Sequence, residues 1–248
     1  MNIAQYLDST YLKTSNQSGL SEDETLQQVK KLTQEAIDHH IFAVMIRPDY
    51  VAEVKKMISE NHSQLVVGTV IGFHEGNSPM EEKLTEAAKA IENGADELDF
   101  VINYRAYLNG DISSVENEFI SCTQLCFIHN KIAKWIIEIA ALNNEQVADL
   151  TKKISEWAET NFPENYLKKI FIKSSTGFFE TNDGKPNGAT FEGIKIMLKN
   201  AGKLPVKAAG GVRTKKDAET MIELGVKRIG TSSALSLLSD TSSSEKDY

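Results

Sequence analysis

The chain has 248 residues, of which 41% are hydrophobic and 25% charged, an ordinary globular composition that is long enough to bury a sizeable core. Its formal net charge of −8 argues against general binding to nucleic acid or anionic membranes, which needs clustered Lys and Arg, but leaves room for a local anion site. No apolar run approaches about 18 residues and the N-terminus has no charged-then-apolar leader, so a cytoplasmic protein without nucleic-acid or membrane partners is expected.

In chain order, short β-branched or apolar runs predict strands at Gln5–Thr10, Phe42–Arg47, Leu65–Gly72, Glu97–Asn103, Lys134–Ile139, Lys169–Ser174, Val206–Ala209 and Arg228–Thr231. Helix-patterned segments lie between them, among them Ser21–His39, Met80–Asn93, Asn144–Thr160, Thr190–Asn200 and Thr214–Leu224. Ser21 and Ser78 each offer an N-cap with a Glu three residues on, at Glu24 and Glu81. Gly94, Gly202 and Gly225 follow helix ends where a left-handed cap is expected.

Strands that alternate with helices and are almost continuously apolar indicate a parallel sheet buried on both faces, hence an α/β fold. A closed (β/α)8 TIM barrel and an open doubly wound sheet share that order. The count of eight, and the lack of a Gly-rich dinucleotide fingerprint after the first strand, favour the barrel. A single domain over residues 1–240 is expected, with a polar tail at 241–248. Cys122 and Cys126, four apart on one helix face, read as packing residues. With His129 they still lack a fourth ligand, and the other histidines are scattered, so neither metal nor cofactor is expected.

Lys173 ends the run Lys169-Ile-Phe-Ile-Lys173, sharing one strand face with Phe171 while Ile170 and Ile172 take the other. Alone it reads as a lysine snorkelling from a strand end into solvent. Lys207, one strand later, changes the balance, because neighbouring barrel strands lie only about 5 Å apart. Two ammonium groups at that spacing in a poorly solvated mouth depress a lysine pKa and free an amine to attack a carbonyl. Asp99 interrupts a buried strand and shares a face with Val101. It reads either as an ion-pair partner for an inward lysine or as a proton relay with Lys207.

Gly210-Gly211 follow the seventh strand and Ser232-Ser233 the eighth, the places where barrels often hold phosphate. Glycines let backbone N–H groups approach the anion and serines add hydroxyl donors. Gly177, in Ser174-Ser-Thr-Gly177, offers a further amide, and Arg213 reads as an accessory or as part of a solvated helix. Asp8 and Thr10 read as pocket-floor residues or as a turn.

The segments Gly94-Ala-Asp-Glu-Leu-Asp99, Phe171-Ile-Lys-Ser-Ser-Thr-Gly-Phe178, Ala189-Thr190, Val206-Lys-Ala-Ala-Gly-Gly-Val-Arg-Thr214 and Arg228-Ile-Gly-Thr-Ser-Ser233 together resemble the deoxyribose-phosphate aldolases, Schiff-base (class I) enzymes, along most of the chain. The resemblance implies metal-free reversible cleavage of 2-deoxy-D-ribose 5-phosphate to D-glyceraldehyde 3-phosphate and acetaldehyde. It implies an iminium on Lys173, proton transfer by Asp99 and Lys207, and phosphate held at Gly177, Gly210, Gly211, Ser232 and Ser233. In some members a terminal tyrosine visits the site, a role that would fall to Tyr248. This chain departs from the pattern at Ile139 where a threonine is common, at Met45 for a cysteine, at Arg47 for an uncharged residue and at Phe178 for a lysine. Two other readings are a lysine-dependent aldolase with a longer donor and a silent sugar-phosphate-binding protein. The sequence leaves room for a homo-oligomer such as a homodimer.

Overall fold

The computed structural model describes residues 2–182 and 184–238. The tail at 241–248 and Tyr248 lie outside them. Eight parallel strands close in sequence order into one barrel: β1 (Leu7–Tyr11), β2 (Ala43–Ile46), β3 (Val66–Ile71), β4 (Glu97–Val101), β5 (Ile132–Ile136), β6 (Ile170–Lys173), β7 (Val206–Ala209) and β8 (Arg228–Thr231). Each is followed by an outer helix: α1 (Glu22–Asp38), α2 (Val51–Glu60), α3 (Met80–Glu92), α4 (Ile112–Ile128), α5 (Asn144–Asn161), α6 (Phe191–Asn200), α7 (Lys215–Leu224) and α8 (Ala234–Leu238).

Alternation along each strand separates two interiors. Outward residues such as Leu98, Phe100, Trp135, Ile170, Ile172, Val206 and Ala208 belong to a continuous apolar core between sheet and helices. Trp135 stacks on Phe100 with ring centroids 5.0 Å apart, and its indole N–H donates to Thr123 Oγ1 at 2.9 Å. Each such side chain contributes roughly 1.5–3 kcal/mol by leaving water. Inside the barrel the apolar part is small, formed by Leu12, Met45 and Val70 with Phe73 and Phe178 against them. Gly68 makes room for it, since a Cβ there would stand 2.4 Å from Met45 Cε.

The capping signals at both ends of the helices mostly appear as expected. Ser21 and Glu24 form a reciprocal capping box at α1, and Gly94, Gly202 and Gly225 all have positive φ. Three local expectations are corrected. The cap before α3 is Pro79 with no side-chain bond, while Ser78 Oγ is buried without a partner among the described residues. The first strand begins at Leu7, because Ile3–Tyr6 winds into a 3-10 turn. The fifth strand is Ile132–Ile136 rather than Lys134–Ile139. Ile132 pairs with Glu97, and the chain turns at Glu138, where φ is 53°. The apolar run Ile136-Ile137 concealed that end, since hydrophobicity continues after the ladder stops.

Candidate active site

The inner face of β4–β8 and β1 carries a fully buried ionic network. Asp99 on β4 accepts from Lys134 of β5 at Oδ1 (2.7 Å), and from both Lys173 of β6 and Lys207 of β7 at Oδ2 (2.9 Å each). Lys134 also reaches Glu97 Oε2 at 2.6 Å. Lys207 Nζ stands 2.5 Å from Asp8 Oδ2, and Arg228 joins Asp8 and Glu97 at 2.9 Å each. The register explains the convergence: Lys173 is the direct partner of Lys207, and Asp99 of Lys134. Gly230 clears space on β8, where a Cβ would lie 3.2 Å from Lys207 Cε.

Four cationic side chains thus share three carboxylates in a site shut off from water. One proton is in excess, and the pKa directions show which group releases it. Burial pushes Lys173 down to about 8, with Lys207 and Lys134 adding to the fall and Asp99 resisting it. Burial alone would raise Asp99, but Lys134, Lys173 and Lys207 overcome it and hold the carboxyl well below the usual range. Asp8 sits at about 2, as Lys207 and Arg228 outweigh its desolvation. Lys134 is desolvated too, yet Asp99 and Glu97 raise it above an ordinary lysine. Loss of a proton from Lys173 leaves three cations against three carboxylates, so this amine gives up its proton more readily than an ordinary lysine. In its neutral form a buried primary amine is a carbonyl nucleophile.

At the C-terminal ends of the strands lies a cavity of about 720 Å³ whose lining includes Lys13, His74, Tyr104, Arg105, Glu138 and Phe178 but none of Asp99, Lys173 and Lys207. That volume suits a small metabolite. Phe178 stacks on His74 at 5.6 Å and meets Phe73 edge-on at 5.1 Å, while the Arg47 guanidinium lies 4.8 Å from the Phe73 ring. Two of the residues that depart from the family pattern, Arg47 and Phe178, therefore help to build one aromatic wall. Glu138 is 1% exposed, and burial raises its carboxyl to about 7 despite bonds from Thr176 N–H and Oγ1.

The glycine loops meet on the β6–β7 side. Gly177, Gly210 and Gly211 all have φ between 70° and 81°. A Cβ on Gly210 would be 3.1 Å from Gly188 Cα and 3.7 Å from Gly177 Cα, so the three backbones pack in direct contact. Ala189 N–H donates to the Ala209 and Gly210 carbonyls at 3.0 Å each, and Asn187 Nδ2 donates to the Gly177 carbonyl at 2.9 Å. Ser233 is buried, with its N–H on Thr231 Oγ1 at 3.1 Å, whereas Ser232 and Arg213 are exposed. Thr10 Oγ1 donates to the Asp8 carbonyl at 2.9 Å.

Lys173, Lys207 and Asp99 therefore converge on one carboxylate oxygen, Asp8 joins them from below, and Gly177 meets Gly210. The sequence pairs Asp99 with one inward lysine, whereas in the structure its Oδ2 accepts from both Lys173 and Lys207. Lys134, Glu97 and Arg228, which the sequence motifs do not single out, complete the network. Strand alternation carried that signal, because Lys134 falls on the opposite face from Ala133 and Trp135, as Asp99 does from Leu98 and Phe100. Glu138 left no such signal, since it lies beyond the strand. No cluster of potential metal-binding side chains occurs among the described residues, and no helix there is long and apolar enough to cross a membrane.

The chain is also similar to known proteins. The family description "DeoC/LacD family aldolase" matches residues 5–242. A deoxyribose-phosphate aldolase of Thermococcus gammatolerans is 37% identical over 246 residues, covering 99% of each chain. One from Caldicellulosiruptor saccharolyticus is 36% identical over 240 residues, 96% of this chain and 97% of the relative. Among solved structures, the tetrameric deoxyribose phosphate aldolase of Aeropyrum pernix superposes with a TM-score of 0.76 at 26% identity, over 95% of this chain and 89% of its own.

Proposed function

The chain belongs to the DeoC/LacD family of aldolases, and on that premise we propose that it reversibly cleaves 2-deoxy-D-ribose 5-phosphate to D-glyceraldehyde 3-phosphate and acetaldehyde through an iminium on Lys173. The observation that carries this reading is the shared oxygen. Lys173 and Lys207 both donate to Asp99 Oδ2 at 2.9 Å, and Lys173, with its pKa near 8, stands at the top of the network.

The neutral Lys173 amine attacks C1 of the open-chain sugar, and loss of water gives an iminium that withdraws electrons from C2. Removal of the C3 hydroxyl proton then breaks the C2–C3 bond, releasing glyceraldehyde phosphate and leaving an enamine. Protonation at C2 and hydrolysis release acetaldehyde and restore the amine. Asp99 and Lys207 carry the protons, since a carboxylate bonded to two amines at 2.9 Å can exchange protons with either. The phosphate lies against backbone N–H groups of Gly177, Gly210 and Gly211 with Ser232 and Ser233, where positive-φ glycines bring the main chain close to an anion. Phe178 lines the cavity, with Phe73 edge-on against it.

Borohydride reduction with acetaldehyde, followed by peptide mass mapping, tests the reading. A reduced two-carbon adduct on Lys173, lost in Lys173→Ala, is expected. Activity in that variant should fall on the order of 10⁴-fold or more, as for loss of other covalent nucleophiles. An adduct on Lys207, or preference for dihydroxyacetone phosphate over acetaldehyde as donor, would overturn it.

A further inference from the structure

We propose that Glu138 is a further catalytic residue of this site, the acid that delivers a proton from Oε1 to the hydroxyl leaving the Lys173 carbinolamine. This rests on the Schiff-base reading above and adds to it a group that the lysine–aspartate set does not supply.

The placement of Glu138 comes from the backbone. Ile137 N–H donates to the Lys173 carbonyl at 3.0 Å and Ile139 N–H to the Ser174 carbonyl at 2.9 Å. Glu138 is thereby pinned beside the peptide that carries the nucleophile. Between these two bonds its own backbone turns left-handed, with φ 53° and ψ 69°, a conformation that L-residues seldom adopt without being held there. The side chain lines the cavity at the C-terminal ends of the strands.

Its two oxygens are not equivalent. Oε2 accepts from Thr176 N–H at 3.1 Å and from Thr176 Oγ1, which occupies its lone pairs. Oε1 is buried and has no partner among the described residues. In the acid form the proton therefore sits on Oε1. A buried donor with no acceptor is costly at rest and repaid only when a ligand oxygen meets it. Burial sets the acid–base balance near neutrality, at about 7, with Thr176 and Lys173 lowering the pKa and Glu75 raising it. The other charged or titratable groups lining the cavity are Lys13, His74, Tyr104, Arg105 and Glu180, and Arg105 is paired with Glu75.

The proposed step balances. Attack by the Lys173 amine and transfer of one nitrogen proton to oxygen give the neutral carbinolamine. Its C–O bond then breaks while the nitrogen lone pair forms the second C–N bond. The hydroxyl departs with the Glu138 proton as water, leaving an iminium cation beside a Glu138 carboxylate. In hydrolysis the carboxylate takes a proton back from the attacking water. The free amine of Lys173 and the acid form of Glu138 are both needed, so iminium formation peaks between about pH 7 and 8 and falls on either side.

The test measures the rate of iminium formation with acetaldehyde by rapid quench into borohydride across pH 6–9, roughly one unit beyond each of those pKa values. The proteins are the wild-type chain, Glu138→Gln and Glu138→Asp. In Glu138→Gln the rate at neutral pH should fall about 10²-fold, and the decline at high pH should vanish, with the profile rising to a plateau. Affinity for inorganic phosphate should stay within about twofold and the thermal midpoint should be retained, as expected for a side chain of the same shape that carries no acid proton. Glu138→Asp should restore part of the rate and the bell shape. A wild-type adduct on Lys173 with unchanged rate and profile in Glu138→Gln would overturn the role of Glu138 alone. Absence of any wild-type adduct would overturn the Schiff-base reading and this proposal together.

Discussion

The two faces of the same strands, a residue apart, solve opposite problems. On the outer face of β4–β7, Leu98, Phe100, Trp135, Ile172 and Val206 meet the helices in apolar packing. On the inner face, Glu97, Asp99, Lys134, Lys173 and Lys207 form a chain of ion pairs that, with Asp8 and Arg228, encircles the barrel floor. The outer face gains free energy from every buried methylene. The inner face gains little or none, because removing charges from water consumes most of the Coulomb attraction returned. What the inner arrangement yields is one amine that gives up its proton near pH 8 and a carboxylate held charged beside it. The charged face therefore serves the chemistry while the apolar face supplies the stability that carries it.

The sharpest way to break this contrast is to damage each face equally. Asp99→Leu strands three lysines without their shared carboxylate and should destabilise the fold by about 3–5 kcal/mol. It should also cut activity by on the order of 10²-fold or more in the protein that remains folded. Trp135→Ala should destabilise comparably, by about 3–5 kcal/mol, through the void it leaves, yet keep the pH optimum of the folded enzyme. Urea unfolding with kinetics on the folded fraction separates the two. If Trp135→Ala displaces the optimum, the faces are not independent.

A smaller effect sharpens the electrostatics. Lys207 lowers the pKa of Lys173, and its own bond to Asp99 Oδ2 draws on the carboxylate that would otherwise hold Lys173 charged. Lys207→Leu should therefore raise that pKa above about 8 and move the optimum for iminium formation to higher pH. At pH 7 each unit of rise removes about tenfold of the free amine. An optimum that stays in place would exclude the cation as the cause. The smallest effect belongs far from the site. Ser21→Ala removes the capping box of α1 and should cost about 1 kcal/mol, seen as a drop of a few degrees in thermal midpoint. Kinetic constants should not change, and any shift in pH optimum would show that the outer shell reaches the inner network.

The sequence by itself determined the alternation of eight strands and helices, most helix ends and the identities of Lys173, Lys207 and Asp99, because these signals are local. Period-two and helical patterning, caps and glycines each act over a few residues. Barrel closure, the sharing of Asp99 Oδ2 by two lysines and the excess of one cation were decided only in three dimensions. They depend on register between strands as distant in sequence as β1 and β8, whose Asp8 and Gly230 pair directly. Glu138 shows the same division most clearly. Its identity and the glycines near Lys173 were open to view, but burial, a left-handed backbone and one unpaired oxygen arise only when β5 and β6 lie side by side. Local chemistry specifies the elements, whereas a pKa is a property of everything packed around a group and so belongs to the fold.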